Sequence, residues 1–442
     1  MPDDLFQQVM DAARALGVTE IEAIVSEETQ ALTRFANNAI HQNVSERSTQ
    51  LSVRPVIDGR TARATTNRLD RDGIRDVVAE AIAITRLIES DTDLLPLAEP
   101  AGIDAVHRHY ESTAQATPEV RAKAVAEAIR VVSAKGQTAA GIYSTDATRF
   151  SLYNSRGVAA TYEETMARFS ITAMAGDSSG WAKASACDLR VLDPVALAQS
   201  AARKAAGSHD PRELPAGRYT VILEPAAVLD LAGQMFMDFS GTAIRDGRSF
   251  LNDRIGQKIF GENITVHDDA RHPLQAGAGF DSEGVPRRRL TLVDAGVVRE
   301  IAYCRQAAAL AGVAPTGHGF PLPNEMGEAP MNIVFAGGDA SIDEMVAGTE
   351  HGILVTRLWY IREVDPYEKI FTGMTRDGTF LVEGGKVTAG VRNFRFNVGL
   401  MEMLSNVEAL TPAVRASGEE TFDMVVPAMK VNGFNFTEVT RF

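Results

Sequence analysis

Phe280-Asp281-Ser282-Glu283-Gly284-Val285-Pro286 places two carboxylates in a turn constrained by Gly284 and Pro286, between strand-like runs at Ile264 to His267 and Arg289 to Leu292. Polar side chains held on a loop between strands sit where loops carry function. The stretch lies between a helix beginning near Glu224 and the tripeptide Thr316-Gly317-His318. Outward from it, the alternation of apolar and polar residues predicts further strands at Tyr219 to Leu223, Asn332 to Phe335, Ile353 to Ile361, Thr379 to Val382, Val391 to Asn397 and Met429 to Gly433. Helices interrupt them from Glu224 to about Phe236, around Arg305 to Leu310, and after Ser341, which with Glu344 forms a capping box.

The polar, proline-punctuated stretch Ser208 to Pro215 lacks periodicity, and the chain divides there into an N-terminal domain, 1–210, and a C-terminal domain, 211–442. The first part opens with an amphipathic helix that Asp3 or Asp4 can cap and Gly17 ends. Strand-like runs follow at Ile21 to Val25, Leu32 to Phe35 and Gln50 to Val56. Helical spacing returns from Asp72 to about Ser90, from Pro118 to Gly136, and from Asp193-Pro194 to Gly207. More strands are expected at Ala167 to Ala175 and Trp181 to Ala186. The fold class read from this order is α+β: N-terminal helices on an antiparallel sheet, then a larger, strand-rich C-terminal domain.

At 442 residues the chain is long enough for two cores. Its formal net charge of -14 argues against direct binding to nucleic acid or anionic lipid, which needs clustered Lys and Arg. Arg287-Arg288-Arg289 is the local exception and reads as a solvated edge, with contact to an acidic partner as the other reading. Two cysteines, Cys187 and Cys304, form neither a disulfide framework nor a CxxC metal site. Met1-Pro2-Asp3-Asp4 lacks the basic region of a signal peptide, and no run approaches the ~20 apolar residues of a membrane span. A cytoplasmic protein is expected.

Six segments occur in a fixed order: RFANNAIHQN (34–43), DGRTARATTN (58–67), GRSFLNDRIG (247–256), FDSEGVP (280–286), PTGH (315–318) and TGMTRDGTFLVEGGKV (372–387). Together they resemble the TldD/PmbA family, nearly end to end. The resemblance implies a pairing between a zinc metallopeptidase subunit, TldD, and a related subunit, TldE or PmbA, that lacks the zinc motif. In the TldD type, HExxxH lies on a helix shortly before the segment matching 247–256; two imidazoles hold the metal and the Glu activates its water. Counting back without gaps from Ser249 puts the two metal positions at about Ala232 and Met237, and no His lies between His209 and His267. The zinc cysteine that the resemblance implies near the C-terminus also has no match after Cys304. The missing ligands point to the TldE type.

Other groupings have blander readings. His107 and His109 read as surface residues, and His267-Asp268-Asp269 with His272 as a turn, with a rearranged metal site at His267 and His272 as the alternative. Gly176-Asp177-Ser178-Ser179-Gly180 matches GxSxG, but Trp181 to Ser185 reads as the return strand of a hairpin, where a nucleophile elbow needs a helix. The Gly337-Gly338 and Gly384-Gly385 pairs carry no nucleotide motif. Asp281, Glu283, His318 and Arg376 are the candidates for a substrate groove: glycine-flanked His318 can face a groove, or bond to backbone within its loop, and Arg376 can reach out or pair internally with Asp377.

The resemblance therefore implies a non-catalytic subunit with no cofactor of its own, zinc being expected in a TldD-like partner. The heterodimer would process or degrade extended peptides, and the chain alone could form a homodimer. The sequence leaves two other functions open: an independent metallopeptidase with a rearranged site, and a regulatory peptide-binding protein of the gyrase-modulator kind.

Overall fold

The structure is a computed structural model that describes residues 2–440. Asn37 and Asn38 both take left-handed backbone, φ 50° and 60°, and join two long antiparallel strands, β1 (Ile21–Ala36) and β2 (Ala39–Ile57). Two consecutive positive-φ residues match the right-handed twist of a hairpin, and Asn tolerates the conformation best after Gly. The separate runs expected at 21–25 and 32–35 are one strand, and the run at 50–56 is the end of another. The polar residues between them continue the strands because both faces meet solvent along 39–48. Asp58 and Gly59, also at positive φ, turn β2 into the short β3 (Arg60–Thr61), followed by β4 (Ala64–Thr66). From Ala39 to Gln50, β2 pairs with β1 alone.

Helices α1 (Pro2–Ala15) and α2 (Arg71–Leu87) cover this end of the sheet. Helix α1 starts ahead of Asp4, which lies within it. Asp70 caps α2, accepting the Gly73 N–H at 2.8 Å. Val9, Ala13, Ile74, Val78, Leu51 and Val53 form the core between them, each larger side chain contributing about 1.5–3 kcal/mol by burial.

After α3 (Glu111–Ala114) and α4 (Pro118–Ser133), the strands β5 (Thr138–Asn154), β6 (Ala159–Ala175) and β7 (Ser178–Ala186) complete the sheet in the order β3-β2-β1-β5-β6-β7. Gly176 and Asp177 turn β6 into β7, so Ser178 and Ser179 start a return strand in place of the helix that a nucleophile elbow needs. The alanine-rich α5 (Pro194–Gly207) lies so close to β7 that a Cβ on Gly180 would be 2.2 Å from the Ala201 carbonyl.

The C-terminal half begins with β8 (Gly217–Leu223) and α6 (Pro225–Ala232). The helix expected over 224–236 is α6 continued by a 3₁₀ turn, Gly233–Asp238. Helix α7 (Gly241–Arg245) precedes β9 (Val266–Asp268), β10 (Leu290–Asp294) and β11 (Val297–Val298); α8 (Arg305–Ala311), β12 (Ile333–Phe335) and the capping-box helix α9 (Ile342–Ala347) follow. Next come β13 (His351–Asp365), β14 (Ile370–Glu383), β15 (Lys386–Gly390), β16 (Phe394–Gly399), β17 (Val407–Leu410), β18 (Val414–Ala416), β19 (Met424–Val426) and β20 (Met429–Val439). A second sheet has the order β11-β10-β9-β12-β19-β18. In the third, β13-β8-β20-β16-β14, pairing of β13 with β14 closes five strands into a barrel. Phe394 and Phe436 stack at 4.5 Å within its core. Helix α6 has Ala227 to Ala232 wholly buried, as expected of a segment apolar all round except at Asp230. The mixed α+β architecture, with the larger strand-rich part C-terminal, is the class read from the sequence. No helix among the described residues is long and apolar enough to cross a membrane.

Candidate functional site

The 280–286 turn folds around Asp281. One carboxylate oxygen accepts the N–H groups of Glu283 and Val285, both at 2.9 Å, and the other accepts that of Gly319 at 2.8 Å. This draws residues 316–319 against the turn so closely that a Cβ on Gly317, at φ +76°, would be 2.3 Å from the Pro286 carbonyl. Glu283 accepts the Arg305 N–H, at the start of α8, at 2.9 Å. Burial raises both carboxyls. Glu283, with the Asp281 charge beside it and one N–H donor against three, is pushed up to about 7.

His318 lies behind the turn, with Nδ1 2.9 Å from Thr316 Oγ1 and Nε2 3.0 Å from Asp268 Oδ1. The second Asp268 oxygen accepts the Asn332 N–H at 2.7 Å. Burial works against the Asp268 anion, but the His318 ring and the Arg287 charge outweigh it and hold the carboxyl below its ordinary range. Asp268, read as part of a turn, is thus the buried end of β9. Asp281, Glu283 and His318 are 2 %, 4 % and 1 % exposed, so none of these three groove candidates can touch a substrate in this structure. The glycines flanking His318 serve close packing instead of opening a groove.

The same cluster abuts the first sheet. Glu22 on β1 pairs with Arg54 at 2.9 Å and Arg63 at 2.6 Å, and Arg63 donates to the Leu322 carbonyl at 2.7 Å. Despite burial, the two guanidinium groups keep Glu22 below its ordinary value. None of these residues carries a local sequence signal, because their partners lie up to 259 positions away.

Helix α6 occupies the place where the family resemblance expects a metal helix. Ala232, one counted metal position, ends it fully buried; Met237, the other, lies in the 3₁₀ turn. The helix offers one ligand-type side chain, Asp230, and one of its oxygens already accepts the Glu419 and Glu420 N–H groups at 3.0 and 2.9 Å. Burial pushes Asp230 up to about 6. A Cβ on Gly418 would lie 2.0 Å from the bonded oxygen, so the 418–420 backbone closes off that oxygen; the other is buried without a partner among the described residues, and the helix has no second ligand-type side chain to share a metal with it. The described residues contain no group of three or more His, Cys, Asp or Glu side chains able to hold a metal ion, and none of the eight histidines is followed by Glu. The residues present do not fit zinc. That includes the rearranged site: His267 stands half-buried on β9 with Nδ1 unpartnered among the described residues, while the ring of His272 accepts from the Leu274 N–H within its own turn. His107 and His109 lie in the irregular segment before α3, on a loop and not a strand.

Asp377 pairs with Arg357 on β13, whose Nε is 2.9 Å away and whose Nη2 is closer still. The internal pair expected between Arg376 and Asp377 is reduced to a 3.6 Å approach. Arg376, 46 % exposed, is the one groove candidate that faces solvent. Arg288 and Arg289 are exposed and bridge Glu300 and Asp269 at 3.1 and 3.6 Å, as a solvated edge would.

The chain matches three domains described as PmbA/TldA metallopeptidase: domain 1 over residues 21–85, the central domain over 110–208 and the C-terminal domain over 216–438. A protein of Methanothermobacter thermautotrophicus named as a metalloprotease is 23 % identical over 435 residues, covering 92 % of this chain and 91 % of the relative. The metalloprotease PmbA of Escherichia coli O157:H7 is 24 % identical over 245 residues, 55 % of this chain and 52 % of the relative. The crystal structure of TldE from Thermococcus kodakarensis superposes with a TM-score of 0.88 at 20 % identity, covering 97 % of this chain and 100 % of the other, and has the same fold.

Proposed function

Because the chain belongs to the PmbA/TldD metallopeptidase family yet offers no group that fits zinc among its described residues, we propose that it is the subunit without a metal site in a peptidase complex. A TldD-like partner supplies the zinc and the general-base Glu, and the pair processes or degrades extended peptides in the cytoplasm. The observation that carries this reading is α6, where Asp230 is bonded to the 419–420 backbone and no imidazole is present. Asp281, Glu283 and His318 hold the frame that presents the chain to its partner and substrate, and Arg376 is the residue able to reach a peptide. Extended peptides suit a strand-rich chain, since an open strand edge binds backbone with little regard for sequence, and β2 from Ala39 to Gln50 is such an edge.

Metal content and peptidase activity, measured on the chain alone and after mixing with a TldD-like subunit, test the proposal. Activity confined to the mixture, with zinc in the partner only, is the expected result. Stoichiometric zinc and chelator-sensitive cleavage in the isolated chain would overturn it.

A further inference from the structure

Three guanidinium groups lie against aromatic rings along β13 and β14. Arg357 sits 4.9 Å from the Trp181 ring centre and 5.3 Å from that of Trp359; Arg362 sits 4.4 Å from Tyr360, and Arg376 5.1 Å from Trp359. The first two each make a hydrogen bond: Arg357 binds Asp377 through two N–H groups, and Arg362 donates to the Ile361 carbonyl at 2.6 Å while lying 3.7 Å from Glu420. Arg376 does not. Its one ionic neighbour is Asp377, 3.6 Å from Nε, and Asp377 is already committed to Arg357 and to the Ser179 hydroxyl at 2.6 Å. No hydrogen bond joins the Arg376 guanidinium to any described residue.

The backbone beneath is shaped to present these groups. Strand β13 is irregular between Val355 and Arg357 and again between Trp359 and Arg362. Tyr360 takes φ +55°, rare for a bulky residue, and its N–H is held by Glu420 at 2.7 Å. Bulges re-aim side chains, and positive-φ strain persists where surrounding structure enforces it. Stacking holds a guanidinium through its face and leaves the N–H edge free, and that edge matches a carboxylate in two parallel hydrogen bonds.

We propose that Arg376, held on Trp359, is a receptor for a carboxylate of an extended peptide, supplied by an Asp or Glu side chain or by a free C-terminus. The inference rests on the peptide-handling reading above and adds a ligand chemistry to it. On a chain of formal charge -14, a carboxylate meets a largely acidic surface, so a stacked guanidinium with no hydrogen bond of its own discriminates between peptides by position as well as by charge.

Both tryptophans of the chain, Trp181 and Trp359, stand in this ladder, so intrinsic fluorescence reports its occupancy without a partner or cleavage. The probes are an octapeptide of serine and alanine with one central glutamate and an amidated end, its glutamine counterpart, and that counterpart with a free C-terminal carboxylate. The glutamate peptide, the free-acid peptide or both should bind the full-length chain roughly tenfold or more tightly than the amidated glutamine peptide, and which of them does so identifies the carboxylate. Arg376→Ala should abolish the difference. Arg376→Lys, which keeps charge and stem, should lose part of it. Equal binding of all three peptides, no binding of any, or an unchanged difference in Arg376→Ala would each overturn the proposal. Cleavage by the mixture with a TldD-like subunit is scored separately: its absence alongside selective binding counts against the subunit reading and leaves the receptor standing.

Discussion

The cluster behind 280–286 and the face of β13 and β14 are both built from charged side chains in the C-terminal half, and they end in opposite states. Asp268, Asp281, Glu283 and His318 are buried, and none keeps a buried polar atom without a partner among the described residues. The second region buries Arg357 with its carboxylate and leaves Arg376 half out in solvent. The motifs that mark a family need not mark its contacts. A buried polar network must be complete to be tolerated, so it fixes geometry; an incomplete set at the surface remains free to bind.

The sharpest way to break the comparison is to damage the closed cluster. Asp281→Asn replaces an oxygen that accepts an N–H with an amide that must donate, leaving at least one of the Glu283, Val285 or Gly319 N–H groups facing a donor. A loss of about 2–3 kcal/mol is expected, read as a fall in the urea midpoint of the transition that includes the C-terminal half. A midpoint unchanged within error would mean that the turn does not depend on its carboxylate.

A smaller effect is expected from pH. The Glu283 carboxyl rises from its ordinary 4.5 to about 7, so the folded chain holds that proton more tightly than the unfolded chain does. This contribution is therefore fully present below about 4.5 and is lost as pH rises through about 7. Glu283→Gln, which keeps an oxygen for the Arg305 N–H, should flatten the stability profile across that window by on the order of 1–2 kcal/mol. Chemical denaturation at pH 5, 6, 7 and 8 checks it, and parallel profiles for the two proteins would remove Glu283 as the source.

Local rules explain what was legible in the sequence. The Ser341 capping box and the apolar alternation of Tyr219 to Leu223 act within a few positions, and each is found where the sequence puts it. Long strands were read as fragments, because polar residues exposed on both faces carry no period. In the site, Arg376 and Asp377 are adjacent in sequence yet make only a 3.6 Å ionic contact, since Asp377, at φ 52°, takes its hydrogen bonds from Arg357 across the hairpin. His318 looked open because glycines flank it, and its partner Asp268 is 50 residues away. Burial is a property of the assembled sheets, so a motif can announce a residue's position without announcing whether solvent reaches it.

The smallest stability effect should come from the open region, and its smallness is the point. Arg376→Ala removes an exposed guanidinium, one long ionic contact and a stacking contact with Trp359. Exposed ion pairs contribute ~0–1 kcal/mol and surface substitutions usually stay within about 0.5 kcal/mol, so the unfolding midpoint should scarcely move while carboxylate selectivity disappears. Arg357, buried against Asp377 and two indoles, is the control: Arg357→Ala strands a buried carboxylate and should destabilise strongly. If Arg376→Ala proved as destabilising as Arg357→Ala, the ladder would be one structural unit, closed in the same sense as the 280–286 cluster, and the distinction between the two regions would fail.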